Sequence, residues 1–449
     1  MSKTLRILAM GTVIGGLTAV NAWAQVPASP TFTKNIAAIF QDKCEACHRP
    51  DSIAPMSFIT YEESRPWARS IRDRVMTRQM PPWHVSKTVG IQHFKNDRSL
   101  SDEQIETIVR WVDQGAPKGD PKDMPPPKVW PSEQGWNFAK MFNQTEPDLI
   151  IRSTPYEMKA RANDAWWKPV IPTGLTEARW VRAIEIRPGT VKGRKITHHA
   201  IARLQQEEDQ PGIQNADQGD AFRNAGTFME WAVGKQGEIM RPNSGKLMLP
   251  NSRIIWDIHY SAAGEDITDV VELGIYFYPQ GQEPKYRQTL HLMGSGGIDI
   301  PPNTVKTTEG FFLLRQNARV ESFQPHMHLR GKAMAMEAIL PNGQTQIISH
   351  VDNFNFNWHN SYVYADDAAP LLPKGTLLKI IAWHDNTSTN KANPEPNTWV
   401  GYGDRTVDEM AHAWVNVTYM EDADYAAEVE ARRATMTNTR TTRQQQQQR

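Results

Sequence analysis

The chain has 449 residues, too many for a single core, so two to four domains are expected. Its 50 Lys and Arg balance 50 Asp and Glu for a formal net charge of zero, which argues against a nucleic-acid partner, since that needs a basic surface. The first residues have the pattern of a secretory signal. Lys3 and Arg6 supply the positive region, residues 7–20 a short and mostly apolar stretch, and Ala22-Trp23-Ala24 a small-x-small cleavage site. An uncleaved anchor is the alternative, although the stretch is short for a span. The expectation is a signal peptide over 1–24 and an exported mature chain with no membrane span.

Residues 25–120 read as small and helical. Asn35-Ile36-Ala37-Ala38-Ile39-Phe40 has helical spacing and precedes Cys44-Glu45-Ala46-Cys47-His48. Cys44 and Cys47 are the only cysteines, and with His48 they form the attachment site of one covalent c-type haem. Each thiol adds to a haem vinyl group as a thioether, and the imidazole of His48 reaches the iron as its proximal ligand. A redox disulfide would want a surrounding βαβ pattern and a zinc site a second pair of soft ligands; neither is present. For the far side of the iron, Met80 in Arg78-Gln79-Met80-Pro81-Pro82-Trp83-His84 is the best candidate, and Met56, Met76 and His84 are rivals. A packing role for Met80 is the plain alternative. Ser101 is a good N-cap with Gln104 three residues on, and Ile105, Ile108, Val109 and Val112 then share a face. Helix, haem motif, loop and last helix resemble the order of a small class I-type cytochrome c domain. Haem attachment to an exported chain points to the periplasm.

The prolines at 121, 125, 126, 127 and 131 predict a semi-rigid extended linker over 121–135. Beyond it, short runs rich in Val, Ile, Trp, Tyr and Phe alternate with turn residues, as in 180–186, 254–260 and 377–383. This predicts all-β structure of sandwich or jelly-roll type, divided near residue 281 into 136–281 and 282–421. The tail over 422–449 opens as a short charged helix candidate and ends in a polar, low-complexity stretch expected to be disordered.

Three histidine motifs stand out: Ile196-Thr197-His198-His199-Ala200, Trp256-Asp257-Ile258-His259-Tyr260 and Gln324-Pro325-His326-Met327-His328-Leu329. On a strand the two-residue spacing of His326 and His328 places both imidazoles on one face. Adjacent His198 and His199 would point to opposite faces of a regular strand, so they could share one ion only at a bend or a strand end. A lone strand histidine such as His259 is most often structural.

In order and local context these motifs resemble the copper type II, ascorbate-dependent monooxygenases, the family of peptidylglycine α-hydroxylating and dopamine β-monooxygenases. The resemblance covers roughly 138–420. It implies that His198, His199 and His259 bind one copper and that His326, His328 and Met410, within Val407-Asp408-Glu409-Met410, bind a second. It places the two coppers in separate β domains across a cleft. It implies C–H hydroxylation by dioxygen at the Met-ligated copper, with the three-His copper as electron donor. Ligand chemistry agrees, since imidazole suits copper and a thioether stabilises Cu(I). The expected architecture is therefore multidomain: a small all-α cytochrome c domain followed by two all-β copper domains.

The chain departs from its animal relatives in three ways. It has no cysteines for disulfides in the β region, where the 15 tryptophans and bound metal must help. Gln324 stands where the peptide-amidating relatives carry a carboxylate-anchoring arginine, and His412 and Trp414 stand where they use Asn and Tyr. By strand alternation these two would face the site, suggesting a small apolar or aromatic substrate. His412 could also be a further copper ligand or a core residue. The third departure is the fused haem, which would let a periplasmic electron donor replace ascorbate. The competing readings are a non-catalytic redox or copper-binding protein and an electron carrier whose β region docks a partner.

Overall fold

The structure is a computed structural model that describes residues 26–50, 52, 54–130, 135–207, 225–232, 235 and 237–447. The signal-peptide segment 1–24 lies outside the described residues, as do 131–134 of the linker. No helix among the described residues is long and apolar enough to cross a membrane.

The molecule is mostly β-sheet with few short helices, which overturns the expected architecture. The helices before the linker are Ala37–Lys43, Tyr61–Ser64, Ala68–Met76 and Asp102–Asp113. They pack around Phe32, Ile36, Phe40, Phe58, Ile108 and Trp111. They do not make up an all-α cytochrome c domain, because the chain between the last two leaves them. Strand Val85–Gly90 pairs antiparallel with Thr345–Val351 at the edge of a distant sheet. Trp83, Val85 and Phe94 are buried in that sheet's core, each burial worth on the order of 2 kcal/mol. A helical reading of 25–120 had no way to see these partners, which belong to the far end of the chain.

The expected pair of separate β domains is also corrected. An eleven-stranded sheet runs through both halves. Its continuity depends on strands Ser244–Met248 and Tyr286–Ser295, which pair in parallel across the expected boundary at 281. A five-stranded sheet containing Thr197–Gln205 and Arg253–Tyr260 packs on one part of the long sheet, and Ile184, Leu273, Trp256 and Ile258 fill the space between. A second five-stranded sheet, containing Val85–Gly90, packs on the other part around Phe323, Met334, Val415 and Ile380. Each layer thus buries one face of its strands, as the alternating sequence requires.

Local expectations fared better. Ser101 caps Asp102–Asp113 and Gln104 returns the hydrogen bond to its backbone. Trp111, absent from the expected apolar face, is that helix's fully buried anchor. The proline-rich segment is tied to the helical region: Trp130 Nε1 donates to Glu45 at 3.0 Å and Gln41 donates to the Pro126 carbonyl. The charged helix expected at the start of the tail is present and longer than expected, as helix Asp422–Gln447 after the last strand. Asp424 pairs with Lys285 and Glu428 with Arg319, docking its first half on the long sheet.

Candidate functional site

Seven of the thirteen histidines meet in one buried cluster: His198, His199, His259, His326, His328, His359 and His412. Four strands and two loop segments deliver them.

Strands Thr197–Gln205 and Arg253–Tyr260 are antiparallel neighbours, with His199 opposite His259. The next register pair is Thr197 opposite Tyr260, so His198 is an extra residue in a β-bulge. The bulge supplies the bend that two adjacent histidines need. His198 Nδ1 and His199 Nδ1 lie 3.3 Å apart, and one ring nitrogen from each of His198, His199 and His259 falls within 4.8 Å of the others. Among the described residues this is the one metal-competent group of three. Asp164 accepts a hydrogen bond from His259 Nε2 at 3.0 Å and orients that ring, and Trp166 stacks on it at 4.5 Å between ring centres.

The second set is built differently. Strand Ser322–His326 ends at His326, and His328 lies beyond it, so strand alternation does not bring these rings together as expected. Their centres are nonetheless 5.3 Å apart. The cause is Glu409, fully buried, whose carboxylate accepts the backbone N–H groups of His328 at 2.9 Å and Arg330 at 2.6 Å, and that of Met410 at 3.3 Å. One side chain thereby fastens the His-x-His turn to the Met410 segment. The Met410 carbonyl sits 3.2 Å from His384 Nε2. Burial raises the Glu409 carboxyl to about 7, against the pull of those backbone donors.

The two sets touch instead of facing each other across a cleft, with His199 and His326 ring centres 5.9 Å apart. His359, which sequence reasoning missed, sits between them: its Nδ1 is 3.1 Å from His326 Nδ1 and its ring packs on His198 and Phe356. No spacing signal could have found it, since it stands alone in a loop. His412 stacks on His326 at 4.7 Å and Trp414 lies against the same ring at 4.9 Å. Gln324 binds buried Glu230 and Lys235, which places it in a charge network and not in an anchoring role.

All seven imidazoles titrate below the ordinary histidine value, chiefly because they are buried. His198 is held at about 4 and His412 at about 3. For His199, His326 and His359 the neighbouring imidazoles add to the effect. At neutral pH the cluster is a set of uncharged lone pairs, the state in which imidazole binds metal. The donor set therefore fits copper.

A cavity of about 1020 Å³ lies over the Cys44–His48 segment, lined by Cys44, Cys47, His48, Phe58, Ile71 and Met80 among others. His48 donates from Nδ1 to the Met56 carbonyl at 3.2 Å and stacks on Phe58, which fixes the ring and leaves Nε2 for an iron. Burial pushes the Cys44 thiol up to about 12, the opposite of a reactive redox thiol. Met80 and Met56 line the cavity. Met76 is half exposed and His84 is buried against the distant sheet, where its N–H donates to the Tyr362 hydroxyl. The volume and the donors at this end fit a porphyrin, and charged residues including Arg74, Lys95 and Arg98 share the lining.

No family model matches the sequence, and no curated protein matches it. Among solved structures, the major capsid protein P2 of bacteriophage PM2 is 12% identical over 61% of this chain and 98% of its own, with a TM-score of 0.25. A putative alpha-L-fucosidase from Bacteroides ovatus is 7% identical over 70% of this chain and 43% of its own, with a TM-score of 0.16. At such scores these likenesses carry no argument about this chain's fold or activity.

Proposed function

We propose that the protein is an exported, haem-bearing dicopper monooxygenase that hydroxylates a C–H bond of a small apolar or aromatic substrate. The observation that carries this reading is convergence: three histidine motifs that stand far apart along the chain bring their imidazoles into one buried, uncharged cluster. The reaction inserts one oxygen atom of dioxygen into the substrate and reduces the other to water, consuming two electrons and two protons. Copper bound at the cluster supplies one-electron redox chemistry and dioxygen activation, to which a Met410 thioether is suited.

The chain's own residues do the rest. Asp164 holds His259 in one orientation and Glu409 holds the His326–Met410 region together. Trp166, Phe356 and Trp414 surround the rings with apolar surface, which excludes water and favours an apolar substrate. His48 and Met80 would hold the haem iron, and both line the cavity. Electrons from a periplasmic donor would then have a short path inward. Trp358 and Ser361 line the haem cavity, His359 between them belongs to the cluster, and Asn360 donates to the Pro82 carbonyl at 2.8 Å. A non-catalytic copper-binding redox protein is favoured by one observation only, the direct contact between the two histidine sets, which must part to admit a substrate.

Copper-loaded full-length protein should carry two coppers and one covalent haem, and should consume oxygen in step with substrate. Protein that isolates with zinc alone, or that lacks haem peroxidase staining on a denaturing gel, sinks the proposal. Two coppers and haem with no substrate-linked oxygen uptake would favour the redox-protein reading.

A further inference from the structure

His359 has a conspicuous place for a residue with no motif around it. It is 2% exposed, and its Nε2 has no hydrogen-bond partner. A core histidine kept for structure normally satisfies both ring nitrogens, because leaving one orphaned in an apolar setting costs about 1–3 kcal/mol. Here the surroundings are Phe354, Phe356 and other imidazoles.

A ligand role at Nδ1 would not relieve that orphan, so the contact of Nδ1 with His326 carries the case. A separation of 3.1 Å between His326 Nδ1 and His359 Nδ1 fits either a shared proton or two donors on one ion. With metal–nitrogen bonds of about 2.0 Å, two tetrahedral donors lie roughly 3.3 Å apart. The same spacing, 3.3 Å, separates His198 and His199 in the metal-competent triad. His328 belongs to the same set, its ring centre 5.3 Å from that of His326, and neither it nor His359 completes a group of three such nitrogens with His326 among the described residues.

We propose that His359 is a metal ligand, sharing with His326 the ion of the C-terminal histidine set. The inference rests on the copper reading above and adds a sixth imidazole to it. It also puts a ligand on the same short loop as Trp358, so that the wall of the haem cavity and the metal's coordination shell are one covalent segment.

The test uses copper alone with the full-length chain. X-ray absorption should count about three imidazoles per copper, against about two and a half if His359 stands aside. His359→Leu should weaken one of the two coppers at least tenfold and remove one nitrogen coupling from its electron spin resonance signal. A count of about two and a half, together with two unweakened coppers in His359→Leu, overturns the inference and leaves the copper reading intact. Should His359→Leu fail to fold, the count on the unaltered chain decides. Wild-type protein that binds no copper overturns both.

Discussion

The two histidine sets illustrate two ways of building a site. His199 and His259 face each other across one antiparallel ladder, and a single bulge turns His198 toward them. That set is assembled by backbone register alone, and Asp164 needs only to fix one ring. The His326 set sits where a strand ends, so no ladder defines it. It depends on the buried Glu409 carboxylate, from a segment much later in the chain, and on a loop histidine. Register makes a compact triad; a clamp makes a looser group that a neighbour can join.

The largest effect should come from the ladder. His259→Ala removes one of the three triad nitrogens and leaves Asp164 without its partner. Metal analysis should show the loss of one copper of two, and turnover should fall by at least about a hundredfold. Retention of both coppers would show that the triad is not a metal site.

Next comes the clamp. Glu409→Ala strands three backbone N–H groups in a buried setting, and unfolding free energy should fall by about 3–5 kcal/mol in denaturant titrations. A loss below about 1 kcal/mol would mean that something else holds the His328 turn. Asp164→Asn should behave in the opposite way, because Asp164 touches a ring and is partly exposed. Copper affinity at one site should fall about 10–100-fold, with stability nearly unchanged.

The last effect is a pH slope, small for any one imidazole and shared among seven. Every clustered histidine titrates lower in the folded protein than its ordinary value of about 6.5, so on acidification the unfolded chain takes up protons first. The stability of metal-free protein should be fully present above about pH 6.5. It should decline below that, by up to ~1.4 kcal/mol per pH unit for each histidine, until His198 protonates in the folded state near 4. Urea midpoints that stay level between about pH 7.5 and 5 would contradict this.

Much of the local chemistry was legible in the residues. The Ser101 cap and the β texture beyond the linker are carried by neighbours within a few positions, where side-chain type and backbone preference suffice. The pairing of His326 with His328 was anticipated for the wrong reason, strand alternation, when the cause is Glu409. His359 was invisible, since nothing near it in the chain marks it.

What the sequence by itself determined is therefore a set of short-range commitments: where the Cys-x-x-Cys-His motif, caps, strands and histidine pairs stand. The tertiary structure decided the rest. It sent Val85–Gly90 into a sheet built from the far end of the chain, ran one long sheet through both halves, and placed the His198 bulge opposite His259. Burial of Trp83, Val85 and Phe94 and the offset between two strands depend on surfaces that exist only once the chain has folded. A pattern read along the chain reports which face is apolar, not which distant face will cover it.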